Sequence, residues 1–174
     1  VVWKDRGYAT IALPLDWGLE GGLITVTNDR LINSCEELFG HSFTDPEMKP
    51  IRDILKGSRV FHLYNLNEGG TEATATAGEL TIAAKYPGVS GNRISVSVEA
   101  DINNENHFLV TTYFDSLEMD RQSVKTAEDF EPNDFVSLSG SLEGGSTVRA
   151  YLANGKNGQV EAGSHAKYLE GIQG

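Results

Sequence analysis

Residues 78–99 (GELTIAAKYPGVSGNRISVSVE) are the stretch that most constrains the fold of this chain. On both sides of a loop containing proline and glycines, apolar side chains alternate with polar or small ones. Such a period of two predicts a strand on each side, each with one apolar face. These faces must be buried against a second layer, so a small antiparallel β-sandwich or barrel is expected.

Further alternating segments extend this β-rich region. They lie at residues 107–114, 117–124, 135–138 and 147–152. Asp115-Ser116 is a tight turn between the first two of these segments, and residues 126–130 are expected to form one short helical turn. The β-rich domain is therefore predicted to cover residues 79–154.

The first third of the chain has a different pattern, which predicts a partial α/β layer in the order strand-helix-helix-strand. Strands are expected within 8–15 and over 59–65, and helices over 28–39 and about 46–56. Pro50 does not fit a continuous second helix, so a kink or a fresh start is expected there. The chain as a whole is then an α+β protein.

The first predicted helix has clear start and stop signals. Thr27 or Asn28 is suited to cap its N-terminus, and Gly40 is suited to end it. The residues expected on its apolar stripe are Leu31, Ile32, Cys35, Leu38 and Phe39.

Composition shifts divide the chain into four predicted segments. Residues 1–66 form the N-terminal α/β part, 67–78 a linker with Gly69-Gly70 as a hinge, and 79–154 the antiparallel β domain. Residues 155–174, with a helix capped by Ser164, are expected to begin a further, truncated domain. Because the chain begins at Val1 without an initiator Met, we expect it to be a piece of a longer polypeptide.

The net charge of −11 disfavours two kinds of partner. With 14 basic and 25 acidic residues, the surface should repel nucleic-acid phosphates and anionic membranes. No apolar run approaches the roughly 20 residues that cross a bilayer. Cys35, as the sole cysteine, excludes an internal disulfide.

The sequence has no motif typical of phosphate binding or of a metal site. Gly88–Asn92 is glycine-rich, but a P-loop needs Lys-Ser/Thr and a following helix, so this segment is predicted to be a turn. The histidines have no zinc-type spacing; they are His41, His62, His107 and His165.

Other reactive residue types also give no catalytic pattern. Cys35 lies on an apolar helix stripe and is expected to be an inert core thiol, and Trp17 is expected to anchor the core or an edge. The acidic clusters 115–120 and 128–134 are interpreted as solvated turns, since neither matches a calcium loop. There is no G-x-S-x-G elbow. The prediction is that the chain has no catalytic, cofactor-binding or metal-binding residues and needs no cofactor.

Several sequence blocks resemble one known family in the same order. The blocks are ATIALPLDWG at 9–18, LFGHSFTDPEMKPIRDILKG at 38–57, residues 60–67 followed by Gly69-Gly70, residues 78–99, and NDFV at 133–136. Together they resemble the contractile tail sheath proteins of phages, in particular the type found in prophages and phage-tail-like bacteriocins. The resemblance extends from about residue 5 to 169 and includes no catalytic motif.

This resemblance implies a mechanical function. Sheath subunits polymerise around a tail tube, and the sheath contracts to drive the tube through the envelope of the target cell. The implied partners are other sheath subunits in a helical assembly, the tail tube protein and the baseplate, with no nucleic acid and no membrane insertion. The implied location is a virion tail or phage-tail-like particle assembled in the bacterial cytoplasm.

A binding module and an enzyme are the two alternatives to a structural protein. The predicted β domain also suits a binding module that recognises a carbohydrate or a surface receptor. An enzyme, such as a hydrolase with a dispersed site, would require a pocket with convergent polar groups. The sequence favours the structural protein.

Overall fold

The computed structural model describes residues 7–143, 148–161 and 163–173. They form two compact units: Val1–Gly70 with Asn157–Gly174 (unit 1), and Thr71–Lys156 (unit 2). Within the described ranges, unit 1 contains three α-helices and one mixed sheet, while unit 2 contains two antiparallel sheets. The predicted α+β class is confirmed.

Unit 1 is built on a three-stranded sheet in the order β1-β3-β2. Its strands are β1 (Tyr8–Leu13), β2 (Leu23–Thr27) and β3 (Val60–Asn65), with β1 parallel and β2 antiparallel to β3. The strands β1 and β3 agree with the sequence-based prediction, whereas β2 was not predicted. This five-residue strand runs directly into a helix, so no turn residue separates the two patterns.

The first helix, α1 (Asn28–Phe39), begins and ends where the capping signals predict. Thr27 Oγ1 accepts a hydrogen bond from the Arg30 amide, and Gly40 ends the helix in the left-handed conformation at φ 65°. Three residues of the predicted stripe are fully buried, but Ile32 is 62% exposed, so its placement on the stripe was wrong. Ile32 follows Leu31 directly, and neighbours on an α-helix point about 100° apart.

The second helical segment starts afresh near Pro50, which confirms one of the two predicted arrangements. A 3₁₀ turn over Pro46–Met48 is followed by α2 (Lys49–Leu55), with Pro50 in its first turn. There proline removes no helical hydrogen bond. Both helices pack on one face of the sheet around a fully buried core, made of Val26, Leu31, Cys35, Phe39, Met48, Ile51, Phe61 and Leu63.

The last helix, α3 (Ser164–Gln173), belongs to unit 1. Tyr168 packs edge-on against Tyr64 of β3 with ring centroids 5.7 Å apart, and Lys167 pairs with Glu68. Gln159 forms a bridge with Glu68 just before this helix. A Cβ at Gly158 would lie 2.2 Å from the Glu68 carbonyl oxygen, so only glycine fits there.

Unit 2 consists of two antiparallel sheets with strand orders β4-β5-β9 and β10-β6-β7-β8. The strands are β4 (Glu72–Ala77), β5 (Leu80–Pro87), β6 (Ile94–Ala100), β7 (Phe108–Phe114), β8 (Leu117–Val124), β9 (Val136–Gly140) and β10 (Val148–Tyr151). β4 lies within the segment 67–78 that sequence analysis assigned to a linker. Its Glu-Ala-Thr-Ala-Thr-Ala sequence lacks the large apolar residues by which strands are recognised. The expected helical turn is present as a 3₁₀ segment at Ala127–Asp129.

The apolar faces of the unit 2 sheets are buried, as the alternation of residues 78–99 predicts. Leu80, Ile82 and Ala84 of β5 are at most 2% exposed, and Ile94 and Val96 of β6 are fully buried. Phe114 of β7 and Phe135, next to β9, have ring centroids 5.7 Å apart. The two sheets therefore share an apolar interior.

Candidate functional site

The glycine-rich loop at 88–92 is a turn, as predicted. Gly88 has φ 131°, and a 3₁₀ segment follows over Val89–Arg93. Asn92 fixes the loop by exchanging two hydrogen bonds with Gly155: its Nδ2 donates to the carbonyl oxygen at 3.0 Å, and its Oδ1 accepts from the amide at 2.8 Å. The loop thus joins two chain segments of unit 2.

Trp17 and Cys35 are core residues. Both are 0% exposed, and the Trp17 indole donates a hydrogen bond to the Glu37 carbonyl oxygen at 3.0 Å. Burial raises the pKa of the Cys35 thiol to about 12, with the negative charges of Glu36 and Asp45 adding to the effect. A thiol held in this form is a poor nucleophile at neutral pH.

His62 and His107 each have a nearby hydrogen-bonding partner. The Nδ1 of His62 lies 2.9 Å from the Thr25 hydroxyl, and the His62 ring stacks with that of Tyr8 at 6.2 Å. His107 Nδ1 lies 3.1 Å from the Glu105 carbonyl oxygen. The side chain of His165 lies outside the described part of the chain.

The acidic clusters lie only partly in turns. In the first cluster, Glu118 and Asp120 lie on strand β8, so the interpretation of 115–120 as a solvated turn was wrong for these two residues. Asp115, in the β7–β8 turn at φ 53°, forms an ion pair with Arg93. In the second cluster, Asp129 accepts hydrogen bonds from both the amide and the hydroxyl of Thr126 and so completes a capping box. These contacts stabilise turns.

A histidine–carboxylate group in unit 1 was not predicted. His41 follows α1, and Asp45 and Glu47 lie at the 3₁₀ turn before α2. One potential ligand atom from each of the three residues lies within 4.8 Å of the other two. The prediction rested on spacings between histidines alone, whereas the relevant signal is the H-x₃-D-x-E pattern of residues 41–47.

A fourth residue, Asp16, holds the His41 ring from the opposite side. His41 Nε2 lies 2.9 and 3.0 Å from the two carboxylate oxygens of Asp16. His41 Nδ1 faces the Asp45 carboxylate at 3.5 Å. The His41 side chain is 14% exposed, so this contact joins the end of β1, the end of α1 and the start of α2 in a largely buried setting.

A cavity of about 470 Å³ adjoins this group within unit 1. Its wall combines apolar and polar surface, with Asp16, His41 and Glu47 as its ionisable residues. The apolar and amide lining consists of Leu13, Pro14, Leu15, Phe39, Met48, Pro50, Ile51, Asn67, Asn157 and Gly158. The concave surface can therefore receive an apolar group or water next to a negatively charged cluster.

Comparison with known proteins identifies the family. Residues 68–157, just over half of the chain, match the family model described as the phage tail sheath protein beta-sandwich domain. The chain belongs to the phage tail sheath protein family. Membership implies that sheath subunits assemble into an oligomer in a phage tail.

Relatives among curated proteins agree with this assignment. The chain is 30% identical over 147 residues to the phage-like element PBSX protein XkdK of Bacillus subtilis (strain 168), covering 83% of this chain and 30% of the relative. It is also 30% identical over 138 residues to the uncharacterized protein YqbK of the same organism, covering 78% of this chain and 28% of the relative. The chain thus spans about a third of the length of these relatives.

Two solved structures have the same fold. The sheath tail protein of Desulfitobacterium hafniense matches 97% of this chain with a TM-score of 0.86 and 34% identity, and the match covers 40% of that protein. The sheath tail protein of Listeria innocua also matches 97% with a TM-score of 0.86, at 26% identity and over 38% of its length. The resemblance to tail sheath proteins predicted from the sequence is therefore confirmed, and the alternative of a carbohydrate- or receptor-binding module is not favoured.

The family indicates a virion tail or a phage-like particle as the location of this protein. None of the helices in the described ranges is both long and apolar enough to cross a membrane.

Proposed function

We propose that this chain is the N-terminal portion of a contractile tail sheath subunit, which polymerises around a tail tube and contracts to drive the tube through the envelope of a target cell. The observation that carries the proposal is the match of 97% of the chain to solved sheath tail proteins at a TM-score of 0.86. The family match over residues 68–157 supports it independently.

The proposed work is mechanical and needs no catalytic residue or cofactor. Contraction requires subunits that pack against their neighbours in two alternative ways, and the difference in free energy between the two packings drives the movement. A rigid subunit suits this role, because a soft one would absorb the movement instead of transmitting it. The buried cores of units 1 and 2 fit this requirement.

The proposed partners are other sheath subunits, the tail tube protein and the baseplate. The particle is assembled in the bacterial cytoplasm, without nucleic-acid binding or membrane insertion by this chain. We further propose that the α/β part and the β domain act as separate units of the sheath subunit, with residues 71–156 forming the β domain.

Deletion of the gene from the phage or prophage element tests this function. Electron microscopy of the resulting particles is expected to show bare tubes without a sheath, and the complete gene supplied in trans should restore sheaths of two lengths, extended and contracted. Normal sheathed tails in the deletion strain would contradict the proposal.

A further inference from the structure

The histidine–carboxylate group of unit 1 has the composition of a transition-metal site. Imidazole nitrogen and carboxylate oxygen are both common zinc ligands, with bonds of about 2.0–2.2 Å. In the tetrahedral geometry that zinc prefers, two ligand atoms lie about 3.4 Å apart. The His41 Nδ1–Asp45 distance of 3.5 Å is close to this spacing. The ligand atoms lie within 4.8 Å of one another, so closure onto an ion requires a movement of at most about 1.4 Å, which the exposed Glu47 side chain can supply.

Asp16 is not one of the three potential ligands, but it contacts Nε2 of the His41 ring. This contact favours a role as metal ligand for the other ring nitrogen, Nδ1. A metal-binding histidine typically donates its second ring N–H to a carboxylate, which fixes the tautomer and the ring orientation. Asp16 contacts His41 Nε2 with both carboxylate oxygens. In the tautomer that carries its proton on Nε2, the Nδ1 lone pair is directed towards Asp45.

The loop that carries the potential ligands is held in place by other groups. Arg52 donates hydrogen bonds to the carbonyl oxygens of Phe43 and Asp45. The Asp45 carboxylate also accepts a hydrogen bond from the Ser42 amide at 3.0 Å. These bonds fix the loop backbone without occupying His41 Nδ1, so little ordering would be required on binding.

The local charge and the adjoining cavity also favour a cation. Asp16, Asp45 and Glu47 place three carboxylates around one imidazole, and the Asp16 and Asp45 side chains are only 27% and 31% exposed. Both carboxylates are partly withdrawn from water, so their charges are less screened than in bulk water. The cavity also leaves space for a water molecule as a further ligand.

We propose that His41 Nδ1, Asp45 and Glu47 bind a divalent transition-metal ion of the zinc type, with Asp16 as the positioning residue. The bound ion would join the end of α1 to the start of α2 and add to the stability of unit 1 by mass action. This site goes beyond the proposed sheath function, and it differs from the sequence-based expectation that the chain binds no metal. The competing arrangement is a charged imidazolium that bridges Asp16 and Asp45 with no ion.

Isothermal titration of the chelator-treated chain with zinc chloride is the primary test. We expect one saturable equivalent, and a higher melting temperature in the presence of zinc. Glu47→Gln is the most informative variant, because Glu47 is exposed and its change should leave the fold intact. It should weaken zinc binding at least tenfold, whereas the control Glu161→Gln, at another exposed glutamate of unit 1, should bind as the wild type does.

Substitutions at His41 and Asp16 test the proposed metal site independently of Glu47. His41→Gln should abolish saturable binding, while His107→Gln should have no effect; circular dichroism shows whether each variant is folded. Asp16→Asn should weaken binding about 10- to 100-fold. In ¹⁵N NMR of the histidine rings, zinc should shift His41 Nδ1 in the wild type, which a purely structural ion pair would not produce.

The proposal is overturned by the absence of a saturable zinc equivalent, or by binding that Glu47→Gln and His41→Gln leave unchanged. A zinc-induced shift at Nε2 in place of Nδ1 would also contradict it. None of these results bears on whether the protein assembles into a sheath, so failure of the metal site and failure of the proposed function can be distinguished.

Discussion

At the scale of single residues, the polar and reactive groups of this chain mostly have structural partners. Cys35 and Trp17 are completely buried, and Asp101 accepts hydrogen bonds from Ser123 and Asn104 in unit 2. Burial of Cys35 and hydrogen bonds to Asp101 shift the pKa values of these groups away from their ordinary values. Each of these pKa shifts leads to a prediction that can be tested by measurement.

The Cys35 thiol is expected to be unreactive in the native chain. Burial raises its pKa to about 12, and the side chain has no exposed surface. At pH 8, a thiol-specific disulfide reagent should label the protein only after denaturant unfolds it, with one thiol per chain. Rapid labelling of the native protein would show that the core around α1 is open.

Asp101 is expected to make the stability of unit 2 depend on pH in the acidic range. Hydrogen bonds from Ser123, Asn104 and the Asn103 amide lower its pKa from 3.8 to about 2. Because the folded-state pKa is the lower one, the stabilisation is complete above about pH 4. It is lost as the pH falls towards 2.

The variant Ser123→Ala removes the largest cause of this shift. NMR titration of the Asp101 carboxyl group should then give a pKa closer to 3.8, whereas Ser139→Ala, an exposed serine on β9, should leave the titration unchanged. An unaltered Asp101 titration in Ser123→Ala would contradict the assigned cause.

At the scale of secondary-structure elements, Asn133 connects the two sheets of unit 2. Its Nδ2 donates to Thr112 Oγ1 on β7 and to the Asp120 carboxylate on β8, each at 2.9 Å. Its Oδ1 accepts from the amides of Phe135 and Val136, at the start of β9. One partly buried side chain therefore satisfies groups of three strands.

Asn133→Ala is expected to destabilise unit 2 by about 1–3 kcal/mol, because it leaves buried polar groups without partners. Chemical denaturation followed by β-sheet circular dichroism measures this loss. The neighbouring control Asp134→Ala removes only an exposed ion pair with Lys85 and should cost less than about 1 kcal/mol. Equal effects of the two substitutions would count against the proposed role of Asn133.

Elements with local signals were predictable from the sequence, and those defined by tertiary contacts were not. α1 was predicted at both ends because Thr27 and Gly40 act within one turn of it. β2 and β4 were missed because strand identity in such short or small-residue segments depends on the partner strand.

The histidine–carboxylate group was missed for a related reason. Asp16 lies 25 residues before His41 in sequence, and only the fold brings them together. The short H-x₃-D-x-E segment was visible in the sequence, but carboxylates in a turn usually face solvent. The arrangement of possible metal ligands could therefore be recognised only from the folded conformation of the loop between α1 and α2.

At the scale of the whole molecule, the resemblance visible in the sequence proved sufficient to identify the family. Ordered blocks along the chain predicted a tail sheath protein, and the match to the family model over residues 68–157 confirmed it. The chain represents about a third of its relatives' length. Assembly, contraction and contacts with a tube are thus properties that we propose for the complete gene product.

The most direct test of the central claim is electron microscopy of the purified complete gene product under conditions that favour assembly. The account predicts stacked rings or hollow tubes in which every subunit contacts copies of itself. A protein that stays strictly monomeric across protein and salt concentrations would contradict it.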